Sequence, residues 1–157
     1  MDRRDPKRSL AALFDRDHAR ALVLLADVQY LCGRGSYLSA AKVFAEFRMQ
    51  QEQHLLREQE LLQKMADQPD FPRVLAERAV TEHAALSEQM NATWDAMSRA
   101  DGETFKQEVQ RLSEAIIAHE EAEKRELLPA LEAALHDQSA LEREIHHLLD
   151  RAREPKL

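Results

Sequence analysis

Two histidines in this chain are each followed four residues later by a glutamate: His54 by Glu58, and His119 by Glu123. On a helix, residues four apart project from one face in successive turns, so each pair can offer one imidazole and one carboxylate to the same point. His18 and His83 add one imidazole each. The set amounts to four nitrogens and two carboxylates, which suits a pair of cations bridged by the carboxylates. Imidazole and carboxylate without thiolate fit iron, manganese or zinc, whereas closed structural zinc sites usually recruit cysteine. With two histidines and two bridging oxygens per ion, coordination positions stay open for water, hydroxide or dioxygen. Open positions imply small-molecule chemistry or sensing.

A lone His-x-x-x-Glu is a weak signal in so Glu-rich a chain with seven histidines, because such a pair can be a mere surface contact. His146 with Asp150 has the same spacing and reads as a solvated pair, and Glu144-x-x-His147 is an unpartnered single copy. What separates the six residues above is their placement on apolar stripes. Steps of three and four residues trace the face that points into a helical core. Phe44, Phe47, Gln51, His54, Glu58, Leu61 and Met65 form one such stripe, and Phe105, Val109, Leu112, Ile116, His119, Glu123, Leu127 and Leu131 another. Phe14, His18, Ala21, Leu25 and Val28 form a third; Ala76, Ala79, His83, Leu86, Met90, Trp94 and Met97 form the fourth. Burying Glu58 and Glu123 uncompensated costs several kcal/mol or more. None of these stripes carries Lys or Arg, so metal ions are the expected counter-charge. Gln51, one turn before His54, is either a hydrogen-bond partner behind the ligands or a partly exposed polar contact.

The elements that must position these residues follow from the punctuation. Turn residues cluster at Cys32-Gly33-Arg34-Gly35-Ser36, Gln68-Pro69-Asp70-Phe71-Pro72 and Ala100-Asp101-Gly102. They divide four expected helices, roughly 8–31, 37–66, 72–98 and 102–135. Connections this short join antiparallel neighbours, so the expected fold is an all-α, up-down-up-down four-helix bundle. Counted from the turn centres Arg34, Asp70 and Asp101, facing ligands differ by at most four residues in distance from their shared turn, about 6 Å along a helix. All four helices therefore deliver ligands to one layer near mid-bundle. A further amphipathic stretch with Leu141, Ile145, Leu148 and Leu149 predicts a short C-terminal helix, packed against the bundle or against a partner such as a second copy of the chain. The expected organisation is a basic tail over 1–9, the bundle over 10–135, and a C-terminal helix and tail over 136–157.

Composition agrees with this class. The chain has 157 residues, 44% hydrophobic, with three Gly and five Pro, enough to bury one core built from good helix formers. Cys32 is the only cysteine, so no internal disulfide forms. No apolar run reaches the roughly 18 residues of a membrane span, and the N-terminus lacks a secretory h-region, so a cytoplasmic protein without membrane partners is expected. The net charge of −7 argues against nucleic-acid binding, which needs clustered Lys and Arg. Arg3, Arg4, Lys7 and Arg8 read as a solvated tail.

Over roughly residues 10–135 the pattern resembles the hemerythrin-like, or HHE cation-binding, family: a histidine, a His-x-x-x-Glu, a histidine and a second His-x-x-x-Glu on successive helices. Asp17-His18-Ala19-Arg20-Ala21-Leu22 is similar to its first motif, His54-Leu55-Leu56-Arg57-Glu58 to its second and Glu82-His83-Ala84-Ala85-Leu86 to its third. The most specific match runs from His119 through Glu123 to Leu127-Leu128-Pro129. The resemblance implies a non-haem di-iron centre with an oxo or hydroxo bridge. It also implies that His18 and His54 cap one ion and His83 and His119 the other. Respiratory members carry His-x-x-x-His on the third helix; here Ala79 and Ser87 flank His83, which points away from dedicated oxygen transport. The leading expectation is a module that binds or senses dioxygen, nitric oxide, or iron and redox state. The alternatives are a di-iron enzyme reducing peroxide or nitric oxide, and a metal-free helical interaction protein.

Overall fold

The computed structural model describes residues 10–135. Helix α1 spans Leu10–Gly33, α2 Tyr37–Ala66, α3 Arg73–Ser98 and α4 Gly102–Ala122. The chain then continues through a π-helical turn, Glu123–Leu127, into α5, Leu128–Leu135. Each of the four long helices packs on two neighbours, α1 on α2 and α4, and α3 on α2 and α4. Side-chain pairs show the antiparallel register of the α1–α4 face: Gln29 meets Gln110 near one end, and Asp15 meets Lys124 near the other. The result is the expected all-α, up-down-up-down bundle. The amphipathic helix expected after His136 lies outside the described residues. Among the described residues, no helix is long and apolar enough to cross a membrane.

Local chemistry sets the helix ends. Gly35 takes a positive φ of 72° between α1 and α2, a conformation that glycine adopts without steric cost. Asp101 caps α4: its carboxylate accepts from the Thr104 backbone N–H at 3.1 Å and from the Thr104 hydroxyl at 2.6 Å, satisfying an otherwise orphaned donor of the first turn. Gly102 sits against the Tyr37 ring, where a Cβ would come within 2.6 Å, so a side chain there would push the half-exposed Tyr37 ring aside.

Two findings correct the sequence reading. The fourth helix is not uniformly α-helical to residue 135. At the π turn the Leu128 N–H bonds the Glu123 carbonyl, five residues back. Pro129 supplies the reason, since in a regular α-helix its ring would strike the carbonyl of Arg125 and it has no N–H to donate. On α3, the buried positions near the C-terminal end are Thr93 and Ala96, while Trp94 and Met97 are only partly buried. The side chains buried there are small, and Trp94 instead lies at the edge of the core near Phe44, with the Arg48 guanidinium 5.5 Å from its ring centroid.

The core divides into two apolar clusters. One, built around Leu25, Phe44, Phe47, Met90, Phe105 and Leu112, fills the end of the bundle at the α1–α2 and α3–α4 turns. The other, built around Phe14, Leu61, Met65, Phe71, Leu127 and Leu131, fills the opposite end. Between them lies a layer of buried polar side chains, Asp17, His18, His54, Glu58, His83, His119, Glu120 and Glu123.

Candidate metal centre

The bundle brings all six residues singled out by their spacing into this one layer, each at least nine-tenths buried. Glu58 faces His54 Nε2 of its own helix at 3.5 Å and His83 Nε2 of α3 at 3.1 Å. Glu123 faces His119 Nε2 of its own helix and His18 Nε2 of α1, the latter at 3.0 Å. The imidazoles stand edge to face within each helix pair, His18 with His54 at 5.0 Å between centroids and His83 with His119 at 5.3 Å. Glu58, His83, His119 and Glu123 have ligand atoms within 4.8 Å of one another, and so do His18, His54 and Glu123. Glu123 belongs to both groups.

Hydrogen bonds do not satisfy this layer. His18 Nε2, His54 Nε2, His119 Nε2, Glu58 Oε2 and both Glu123 oxygens are buried without a hydrogen-bond partner among the described residues. Buried polar atoms are ordinarily paired, and each orphan costs roughly 1–3 kcal/mol. Six such atoms turned towards one another, all imidazole nitrogen or carboxylate oxygen, form a donor set that fits cations; without a cation, only the His–Glu contacts of the layer offset the carboxylate charge.

A second tier of acids stands behind the imidazoles. Asp17 of α1 lies 3.1 Å from His54 Nδ1, and Glu82 of α3 lies 2.7 Å from His119 Nδ1. A carboxylate behind a histidine fixes the tautomer and orients the other nitrogen towards a metal. Neither acid was assigned a role from the sequence, although each immediately precedes a lone histidine and stands 37 positions before the histidine it supports. Asp17 and not Gln51 is the partner at His54 Nδ1; Gln51 itself is buried, not partly exposed. Arg57 lies off the inward stripe yet reaches Asp17 Oδ2 at 2.6 Å. Glu120 was also missed: it is buried beside His119, with Oε1 unpartnered.

Electrostatics differentiate these groups. Burial and then the charge of Glu123 push the Glu58 carboxyl well above the usual range. Burial also opposes ionisation of Glu123, but its contacts with His119 and His18 hold it far below that range. Asp17 is disfavoured as an anion by burial, yet His54 and Arg57 bring it down to about 2. Burial, reinforced by His119, lowers His83 to about 4. For His119, burial opposes the charged form, but Glu123 and Glu82 outweigh it and raise the pKa. Burial lifts Glu120 to about 7 against the pull of His18.

The two halves of the layer are built alike. Asp17, His18, His54 and Glu58 recur 65 positions later as Glu82, His83, His119 and Glu123. The α1–α2 and α3–α4 pairs thus present the same four-residue device from opposite sides of the bundle.

Comparison with the curated proteins and with the solved structures returned no significant match. A family model described as the hemerythrin HHE cation-binding domain matches residues 9–131, a span that contains every residue of the polar layer. With a buried His and Glu cluster of the kind that holds a cation inside a four-helix bundle, the chain belongs to the hemerythrin HHE cation-binding domain family.

Proposed function

We propose that the layer binds two metal ions, iron foremost with manganese or zinc as alternatives, and that the protein uses them to bind or sense a small molecule. His18 and His54 would hold one ion and His83 and His119 the other, with Glu58 and Glu123 supplying the carboxylates. The observation that carries this reading is the set of buried, unpartnered nitrogen and oxygen atoms converging from four helices, with Glu123 common to both ligand groups. When bound, such ions supply Lewis acidity and, for iron, one-electron chemistry towards dioxygen or nitric oxide. The chain's own residues orient the imidazoles through Asp17 and Glu82, exclude bulk water with the two apolar clusters, and balance the cationic charge with carboxylates.

A di-iron enzyme that reduces peroxide or nitric oxide is the second reading. Glu120 favours it: this buried carboxyl beside His119 has no hydrogen-bond partner at Oε1, and a carboxyl of that kind could hold a proton for reductive chemistry.

Anaerobic reconstitution with ferrous iron, followed by metal analysis, tests the centre. The expected result is close to two ions per chain. No retained metal would leave a helical interaction protein with structural histidines. Exposure of the loaded protein to dioxygen, nitric oxide or peroxide then separates the readings: a stable spectral adduct supports binding or sensing, and rapid turnover with an electron donor supports the enzyme.

A further inference from the structure

The 65-residue correspondence between the two helix pairs extends to the walls that separate the layer from solvent, and there the halves differ. A cavity of about 10 Å³ beside His54 is lined by Leu10, Leu13, Phe14, Asp17, Arg57 and Leu61. A cavity of about 20 Å³ beside His119 and Glu123 has in its lining Leu75, Arg78, Ala79, Glu82 and Ala122. These five are the counterparts of Leu10, Leu13, Phe14, Asp17 and Arg57. The two cavities are therefore equivalent approaches to the layer, one per helix pair.

Their walls have opposite character. On the α1–α2 side, the Phe14 ring packs 5.3 Å from the His54 ring, and the Arg57 guanidinium closes over Asp17, leaving the Asp17 side chain only 6% exposed. On the α3–α4 side both plugs are alanine, Ala79 and Ala122. Glu82, the counterpart of Asp17, is 35% exposed. The outer wall also changes, because the place of Leu13 is taken by Arg78, which forms an exposed ion pair with Glu126. Both cavities are on the scale of the about 10–15 Å³ that one water molecule needs, so the side chains of their walls, and not their volumes, distinguish them.

We propose that exogenous small polar ligands, water and anions of two or three atoms, reach the centre through the α3–α4 approach between Ala79 and Ala122, arriving beside His119 and Glu123, while Phe14 and Arg57 seal the equivalent α1–α2 approach. The proposal builds on the metal-centre reading above, but the asymmetry of access belongs to the protein with or without metal. Ligand size is set by Ala79 and Ala122, and ligand polarity by Glu82 and the Arg78–Glu126 pair.

Two variants restore the plugs of the sealed side: Ala79→Phe, after Phe14, and Ala122→Arg, whose guanidinium would reach Glu82 as Arg57 reaches Asp17. In the ferric protein, the association rate of azide, followed by its absorption band, should fall about tenfold or more in either variant, with iron content unchanged. Where one variant fails to fold, the other serves. Unchanged azide rates in a folded, fully loaded variant would overturn the proposal. A metal-free measurement keeps the question independent of the centre itself: deuterium exchange at the imidazole C2 carbons, with water as the probe, read by mass spectrometry where both rings are neutral. His119 should exchange several-fold faster than His54, and Ala122→Arg should abolish the difference. Equal rates in the unmodified protein, or faster exchange at His54, would show that the two approaches are not distinguished in this way.

Discussion

Glu58 and Glu123 occupy equivalent places in the two halves of the layer, yet without metal they are held in opposite states. Burial beside Glu123 keeps the Glu58 carboxyl protonated above its usual range. A carboxyl whose folded pKa exceeds its unfolded value contributes stability that is fully present below about pH 4.5 and is lost as pH rises through the folded pKa. Glu58→Gln should therefore flatten that decline, leaving the metal-free protein at least as stable as the unmodified one near pH 7. Glu123 behaves oppositely, because His119 and His18 hold its pKa down against the effect of burial. Its contribution is present above about pH 4.5 and lost as pH falls towards the folded value. Glu123→Gln should destabilise the metal-free protein by roughly 1–3 kcal/mol near neutral pH. Both variants should lose metal. Urea unfolding across pH 4–8 checks the pair, and equal destabilisation by both substitutions would show that the layer is one structural network. The acids behind the imidazoles are unequal as well. Asp17→Asn should weaken metal binding about 10–100-fold, and Glu82→Gln less, since the Glu82 side chain is 35% exposed and water can replace it at His119. Competition with a chromophoric chelator measures the difference.

Among the elements, the π turn is the one whose position bears on the site. It begins at Glu123 itself, so the residue that both ligand groups share sits where the hydrogen-bond ladder widens. Widened turns of this kind occur often at functional sites. Pro129→Ala removes the clash that favours the widening and supplies an N–H for regular α spacing. The metal-free variant should be as stable as the unmodified protein or more so, while metal affinity falls about tenfold as Glu123 leaves its place between the two groups. Helicity by circular dichroism and metal competition titration report the two effects separately. Unchanged affinity would mean that the turn only accommodates the proline.

For the molecule as a whole, the polar layer is a gap in the apolar core that metal would close. All four long helices contribute to it, so a ligand that binds only the folded state stabilises the entire bundle. Ions present at about a thousand times their dissociation constant contribute about 4 kcal/mol each, and for a domain of this size the melting temperature should rise by at least about 10 °C. Calorimetry of the iron-loaded and metal-free protein measures the shift, and a rise of one or two degrees would mean that the layer is already satisfied without metal. Reducing agent should leave the metal-free melting curve in place, since the single cysteine, Cys32, is free and buried.

The fold class, the four helices, and the inward position of His18, His54, Glu58, His83, His119 and Glu123 were all legible in the chain. Amphipathic periodicity reports which face of a helix is buried, and equal distances from the turns report level along a bundle. Both are properties of one helix or one hairpin, so local order along the sequence contains them. Asp17 behind His54, Glu82 behind His119, Arg57 over Asp17 and the buried Glu120 were not legible, because each depends on how two helices are rotated and registered against one another. The same holds for Ala79 and Ala122, which read as ordinary small residues until the bundle sets them in the wall of the cavity beside His119 and Glu123. Rotation and register are decided by the packing of every helix at once, and only the assembled bundle determines which side of the layer is sealed and which is open.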